Sequence, residues 1–518
     1  MKLKLVKFLS PSLIVLPIVV NATSCSGSAG IVFGNFESYM SPSLIEVLQK
    51  EVSNSNFLSY STNEDIQIKF KKYYDIAIPS TYTVLELIKD KELAKFDWSK
   101  FNVEMSPDRT NNQHPPLQNP SDRPTGIIQN AKQAEWLFSD TVDRVIDSVD
   151  EYAHQEKIYD NNESLLDYAL PYFLQDLMFA YHGSYIDSLP SPSTLHDDPN
   201  DNRWYSNTDW NNITNVISKK NNPNFDQRFT PSNLSKMMMI DDSRTVYDYC
   251  HLIHTNNAGI NPSKEEENIR SITNVYKSLT DKYDPNTFRL NSDSYQVMYS
   301  FATPLDKKQP TLAEANGIIS YNGDALNAIT GGGNPDWINT WSSDDSAYDG
   351  HMPDHSGNTH IVKPLNTPVM MDMLVMNKKD QGTNKETDLY KMLRTVALDG
   401  CQLSWQTTQG SSEQWIGSQD DEGNWIYQTT NNFSYVVYNP PLWNLNTFVS
   451  RDEEVSTEYN SYFDKMYKDL PEQERNNKAE LCAEINTVNF SNGLLELPLD
   501  SVMKSDMSMV YTQYKEQM

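Results

Sequence analysis

The sequence predicts an α/β fold built from strand–loop–helix units. Short apolar runs end in Pro, Asp or Asn, and each is followed by apolar residues at the i, i+3, i+4, i+7 spacing of one helix face. The loops between run and helix are short and polar. That alternation is the pattern of largely parallel sheets flanked by helices.

The first run is Ile31-Val32-Phe33. Ser41-Pro42 then opens a helix that turns Leu44, Ile45, Val47, Leu48 and Val52 inward. Pro suits the first helical position, where an N–H would have no partner. Tyr74 to Ile78 is the second run; it ends in Pro79-Ser80-Thr81 and leads into Val84, Leu85, Leu87 and Ile88. Lys236 to Ile240 ends in Asp241-Asp242, and Val246, Tyr249, Cys250 and Ile253 mark the helix face beyond it. Gly317 to Ser320 leads through Tyr321-Asn322-Gly323 into a short helix. Pro368 to Val375 is a further strand, followed by Leu389, Met392, Leu393 and Val396 at helical spacing, and Ser501 to Met518 is a closing helix. In such sheets ligands gather where strand-to-helix loops converge. Polar stretches near 102–135, 187–233, 333–362 and 405–434 read as surface insertions.

Residues 1–24 read as a targeting segment. Lys2, Lys4 and Lys7 precede an apolar stretch from Phe8 to Val20, broken by Pro11 and Pro17 and shorter than the roughly 20 residues that span a bilayer. Small residues before Cys25 resemble a bacterial lipoprotein signal, with Cys25 lipidated as residue one of the mature chain; Ala22 stands where that signal usually has Leu. Residues 25–30 form a flexible tether. The expected location is the extracytoplasmic face of the membrane, held by a lipid anchor; ordinary secretion is the alternative. Cys250, Cys401 and Cys482 remain. No C-x-x-C occurs, which argues against a structural zinc or thioredoxin motif, and buried thiols without a disulfide framework are expected.

Asp and Glu total 70 against 42 Lys and Arg, a net charge of −28. No basic face is available to displace counterions, so nucleic acid is not an expected partner, and a cationic or neutral ligand is better suited than an anionic one. Gly331-Gly332-Gly333 lacks the Lys-Ser/Thr of a phosphate loop. His351, His355 and His360 lie with Asp349 and Asp354 in a polar loop that reads as solvated, so no metal is assigned. Asp344-Asp345 to Gly350 lacks the bidentate Glu of a calcium loop. No catalytic or nucleotide fingerprint appears; the reading is not an enzyme, and no cofactor is implied.

Five segments, in order, resemble one family. They are Asn35-Phe36-Glu37-Ser38-Tyr39, Tyr74 to Tyr82 with its Pro-Ser-Thr-Tyr loop, Asp241-Asp242-Ser243-Arg244, Tyr321-Asn322-Gly323 and Met370-Met371-Asp372. Together they resemble the extracytoplasmic spermidine/putrescine-binding proteins of ABC importers. The resemblance implies a two-lobed periplasmic-binding-protein-like fold with crossover segments and a ligand cleft between the lobes. It implies lobe 1 from residues 31–172 and 373–445 and lobe 2 from 173–372 and 446–518. It puts Tyr39, Ser80, Tyr82, Asp242, Tyr321 and Asp372 in the cleft, with Phe36 where the family has Trp and Tyr438 as a further family Tyr. The implied ligand is a polyamine, the partners an ABC permease and its ATPase subunits, and the state a monomer.

The chemistry agrees. A polyamine is a flexible apolar chain whose ammonium groups each carry three donors. Asp242 and Asp372 would take the charges and Ser80 would accept a hydrogen bond. Phe36, Tyr39, Tyr82, Tyr321 and Tyr438 would wall the methylenes, and each ring face also attracts a cation by about 0.5–2 kcal/mol. Simpler roles compete: Asp242 as a helix cap, Ser80-Thr81 as another, the tyrosines and Phe36 as core. An apolar strand around Asp372 demands a partner for its charge, either a ligand cation or a structural Arg or Lys. Thr245 stands where the family has Glu, Met370 where it has Trp, and Ser38 where it has Glu. The site is thus poorer in acids and rings, which weighs against the longest polyamines. A different small solute, or a surface adhesin or antigen with a vestigial cleft, are the alternatives.

Overall fold

The computed structural model describes residues 30–104, 124–182, 209–218, 237–255, 260–261, 268–284, 288–302, 304–306, 309–313, 315, 317–329, 359–362, 364, 367–406, 414–421, 423, 425–451 and 495–515. Cys25, Cys482, Gly331 to Gly333, the acidic loop from Asp344 to Gly350, His351 and His355 lie outside the described residues.

Thirteen strands are described in chain order: β1 (Ile31–Phe36), β2 (Ser55–Tyr60), β3 (Ile76–Ala77), β4 (Ala169–His182), β5 (Met237–Ile240), β6 (Phe288–Asn291), β7 (Pro304–Asp306), β8 (Gln309–Ala313), β9 (Gly317–Tyr321), β10 (Thr359–Val362), β11 (Val369–Met376), β12 (Ser404–Gln406) and β13 (Gln414–Ile416). Nine of them make one sheet, in the order β2-β1-β3-β11-β4-β9-β5-β6 with β10 also on β4; β7–β8 and β12–β13 are separate pairs.

The expected units form the two wings. Ser41 caps the helix Pro42–Glu51, its hydroxyl accepting from the Leu44 N–H at 3.2 Å. Pairing within the wings is parallel, β1 with β2 and β3 on one side, β5 with β6 and β9 on the other. The centre departs from the largely parallel expectation. β4 runs antiparallel to β11, β9 and β10, and β11 antiparallel to β3.

β4 holds the two wings together. Its 14 residues span about 46 Å at about 3.3 Å per residue. Ala169 to Asp176 pair with β11, and Leu177 to Tyr181 pair with β9. A β-bulge lies where the register slips from Asp372–Phe173 to Met373–Pro171. Proline has no N–H for a ladder, so a central strand tolerates it at such an irregularity. Two apolar clusters pack on the sheet, and the first reaches both wings through Met178, Met238 and Ile318. One gathers Phe33, Leu44, Ile76, Leu170 and Leu374; the other gathers Phe179, Tyr181, Met239, Tyr249 and Tyr276. The fold is therefore two α/β lobes sharing crossing strands.

All four polar stretches contribute core, the first through Val103, Ile128 and Ala131 and the third through Val362. The helix Trp210–Ile217 buries Trp210, Ile213 and Ile217 in the second cluster, with Trp210 edge-on to Tyr249 at 5.0 Å. The helix Gln428–Val436 buries Phe433 and Val436. Those segments are structural, which corrects the reading of them as surface insertions. The closing helix runs Ser501–Lys515. Cys250 and Cys401 are free and buried, and burial pushes both thiols up to about 12. No helix among the described residues is long and apolar enough to cross a membrane. Replacing Trp210 by Ala should cost about 3–5 kcal/mol, the range for deleting a buried aromatic, and lower the midpoint of chemical denaturation accordingly.

Candidate ligand-binding site

Asp372 sits in the middle of β11, a strand buried along its whole length, and is 2% exposed. Its first oxygen accepts from the Ser80 hydroxyl at 2.6 Å. Its second accepts from the Gln175 side-chain amide, and the Tyr39 hydroxyl also donates to the carboxylate. Every one of these donors is neutral, and among the described residues Asp372 makes no ion pair. Burial pushes its pKa up to about 6, with the hydrogen bonds opposing.

Backbone bonds bring the donors there. The loop before the helix Thr81–Lys89 hooks onto β11, the Met373 N–H donating to the Pro79 carbonyl at 2.9 Å, with Ser80 bridged to Asp372. Ser80 begins that helix without capping it. Its hydroxyl is spent on Asp372 and accepts from Asn63 at 3.0 Å. Gln175 follows the bulge on β4 and donates to Tyr39 at 2.6 Å as well as to Asp372. Tyr172, at the bulge, donates to the Tyr39 carbonyl at 2.6 Å.

Rings close the cage. Phe36, Tyr39, Tyr438 and Tyr321 form a row with centroid separations of 6.0, 5.4 and 6.5 Å. Two strained residues aim them. Ser38 has φ 56°, just before Tyr39, and Val437 has φ 61°, just before Tyr438. The left-handed region is a true outlier for a β-branched side chain, so the surrounding contacts hold Val437 there. Gly323 packs so closely under Tyr438 that a Cβ would overlap the ring.

Asp242 belongs to a second group, joined to the first through Tyr321. The Tyr321 hydroxyl lies 2.9 Å from that of Thr245, which itself donates to Asp242 at 3.0 Å; Tyr321 is thus the donor. Asp242 also accepts from the Thr245 N–H at 2.8 Å, which is helix capping. Burial, opposed by the Thr245 bonds, raises its pKa. Tyr82 lies apart from the ring row, with the Arg244 guanidinium 5.9 Å from its ring centre. Arg244 is buried, donating to Asp248 at 3.0 Å and to Asn261 at 3.0 Å. Glu496 is 1% exposed, and burial and the neighbouring Asp248 push its pKa well up. Glu64, half-buried on the helix Asn63–Tyr73, lies within the field of Asp242.

The structure thus brings Phe36, Tyr39, Ser80, Tyr321, Asp372 and Tyr438 together and sets Tyr82 and Asp242 beside them in an adjoining acidic group. Among the described residues no three acids, thiols or imidazoles cluster as metal ligands would.

The family model described as hypothetical lipoprotein (MG045 family) matches residues 1–484. The chain belongs to that family. It is also 34% identical over 86 residues to the spermidine/putrescine-binding periplasmic protein of Salmonella typhimurium. That match covers 16% of this chain and 25% of the relative, so the chain spans about a quarter of the curated relatives it matches. A putative spermidine/putrescine ABC transporter from Listeria monocytogenes has a similar structure, with TM-score 0.50 and 14% identity over 95% of this chain and all of that one. That likeness concerns the fold: the two-lobed architecture of extracytoplasmic solute-binding proteins.

In this lipoprotein the departures from the polyamine-binding pattern have visible consequences. Thr245, in place of Glu, relays a hydrogen bond from Tyr321 to Asp242. Met370 is buried in β11 where a ring was expected. Sequence reasoning missed Gln175, Arg244, Glu64 and Glu496. A Gln-Asp pair inside the apolar run of β4 was the readable signal for Gln175. Gly323→Ala should displace the Tyr438 ring, cost roughly 1–3 kcal/mol as an overpacked core does, and weaken any ligand held in the ring row; thermal denaturation and titration check both.

Proposed function

We propose that this lipoprotein is the solute-binding component of an ABC importer and that it captures a polyamine of the putrescine/spermidine class. It would be anchored through Cys25 on the extracytoplasmic face and deliver its ligand to a permease and its ATPase subunits. Lobe 1 is assigned to residues 31–172 and 373–445 and lobe 2 to 173–372 and 446–518. The bulge in β4 between Pro171 and Phe173 supports the 172/173 boundary, with the change of partner following at Leu177.

One observation carries the ligand class: Asp372 is a buried carboxylate whose donors are neutral and which, among the described residues, has no cation partner. A lone buried charge costs several kcal/mol, and an ammonium seated among the Phe36, Tyr39, Tyr438 and Tyr321 rings would remove that cost. The second acidic group already contains Arg244. The ligand therefore needs one strongly held ammonium and one weaker one, which favours putrescine over spermidine and spermine. Ligand contacts to both lobes would shift the equilibrium toward the closed form that the permease reads.

A second reading has one observation in its favour. Ser80, Gln175, Tyr39 and Tyr438 all spend hydrogen bonds within the protein, as a vestigial cleft in a surface antigen would. Calorimetry against putrescine, spermidine and spermine separates the two. Binding, tightest for putrescine, is expected; no heat from any of them at millimolar concentration would sink the polyamine assignment. Asp372→Asn should weaken binding at least tenfold, since a charge-assisted bond contributes about 1.5–3 kcal/mol.

The pH dependence follows from the raised pKa. Ammonium binding needs the ionised carboxylate, so affinity should fall as pH drops through about 6. Ligand-free stability runs the other way. Between the ordinary value of 3.8 and about 6 the folded chain holds more protons than the unfolded one, so stability falls as pH rises through that window. Above it the cost is on the order of 3 kcal/mol. Ligand-free Asp372→Asn should therefore melt above wild type at pH 7, and the gap should close near pH 4; equal melting at both pH values would contradict a buried charge at this position.

A further inference from the structure

We propose that the C-terminal helix Ser501–Lys515 is a latch between the lobes and that Lys504 is its bolt. The helix is fixed to the second lobe. Met503, Met507, Val510 and Tyr511 are buried in that lobe's cluster, and the Tyr511 ring lies 5.1 Å from that of Tyr276. Lys515 and the Tyr511 hydroxyl both bond Asp241, at the end of β5. From this base Lys504 reaches into the first lobe. Its ammonium pairs with the Glu86 carboxylate on the helix Thr81–Lys89 and donates to the Gln67 side-chain carbonyl, on the helix Asn63–Tyr73, at 3.2 Å. The pair is shielded from water, with side-chain exposures of 19% for Lys504 and 9% for Glu86.

The chain enters this helix past the crossing strands, where Leu495 is bridged to Val369 at the start of β11. Base and bolt thus lie on opposite sides of the β4–β11 crossover. Any movement that parts the lobes there withdraws the ammonium from Glu86 and leaves a shielded carboxylate behind. That cost falls on the open form alone. It biases the ligand-free protein toward closure whatever solute the cleft accepts, so the latch stands or falls independently of the polyamine assignment.

Small-angle scattering of the ligand-free protein tests this. Lys504→Gln and Glu86→Gln should each lower the closed-to-open ratio by about tenfold, between the effects of exposed and fully buried pairs, and so raise the radius of gyration. The double variant should expand no further than either single one, and Lys504→Arg should stay compact. Scattering of K504Q that superposes on wild type would overturn the latch, as would additive expansion in the double variant. The charge-swapped variant K504E/E86K keeps the test decisive if a single variant loses its fold. A compact swapped chain supports the latch, whereas an expanded or unfolded one refutes it.

Discussion

The buried carboxylate of Asp372 is the constraint around which the ring row is organised. A charge removed from water must be solvated by the protein, and here three neutral donors do it. They come from three distant places in the chain: Tyr39 after β1, Ser80 after β3 and Gln175 in β4. Holding them on one pair of oxygens requires the backbone hook at Pro79, the bulge opposite Asp372 and the left-handed turn at Ser38. Each is an irregularity with no purpose for the sheet itself. Together they make sense as a built site, because strain of this kind persists only where surrounding structure enforces it.

The sheet supplies the second requirement, that one rigid frame serve two bodies. β4 changes partners midway, and alternate residues of its second half face different clusters: Leu177, Phe179 and Tyr181 one, Met178 and Ala180 the other. The bulge and Pro171 lie in its first half, beside Asp372. The point where the ladder is weakest is thus also where the ligand would sit.

What the sequence made legible was local. The units around Ile31, Tyr74, Met237, Gly317 and Val369 announce themselves by an apolar run, a turn residue and a helical stripe, all within about thirty residues. β4 was not read because Pro171, Gln175 and Asp176 interrupt its apolar pattern, and because its partners lie roughly 140 to 200 residues away. The parallel expectation failed at the centre of the sheet for the same reason. Trp210, Ile213 and Ile217 carry the i, i+3, i+7 spacing of a buried helix face, but the polar composition around them masked it. At the site, loop residues next to strand ends were found, whereas Gln175 and Glu496 sit in segments whose role exists only once the fold is assembled. Asp242 was read both as a cap and as a ligand acid. It makes the cap's hydrogen bonds, and its place beside Tyr321 keeps it next to the ring row.

In a chain of net charge −28, the few cations near the ring row are each held in fixed places. Arg244 is locked between Asp248, Asn261 and the face of Tyr82, and Lys504 is committed to Glu86 and Gln67. Both neutralise acids at the lobe interface, and neither makes an ion pair with Asp372. Asp248 and Glu86 are thus compensated internally, while Asp372, like Asp324 beside Tyr438, is held by neutral donors among the described residues. This arrangement is consistent with Thr245 standing in place of a family Glu: a further carboxylate in the second group would have needed another cation.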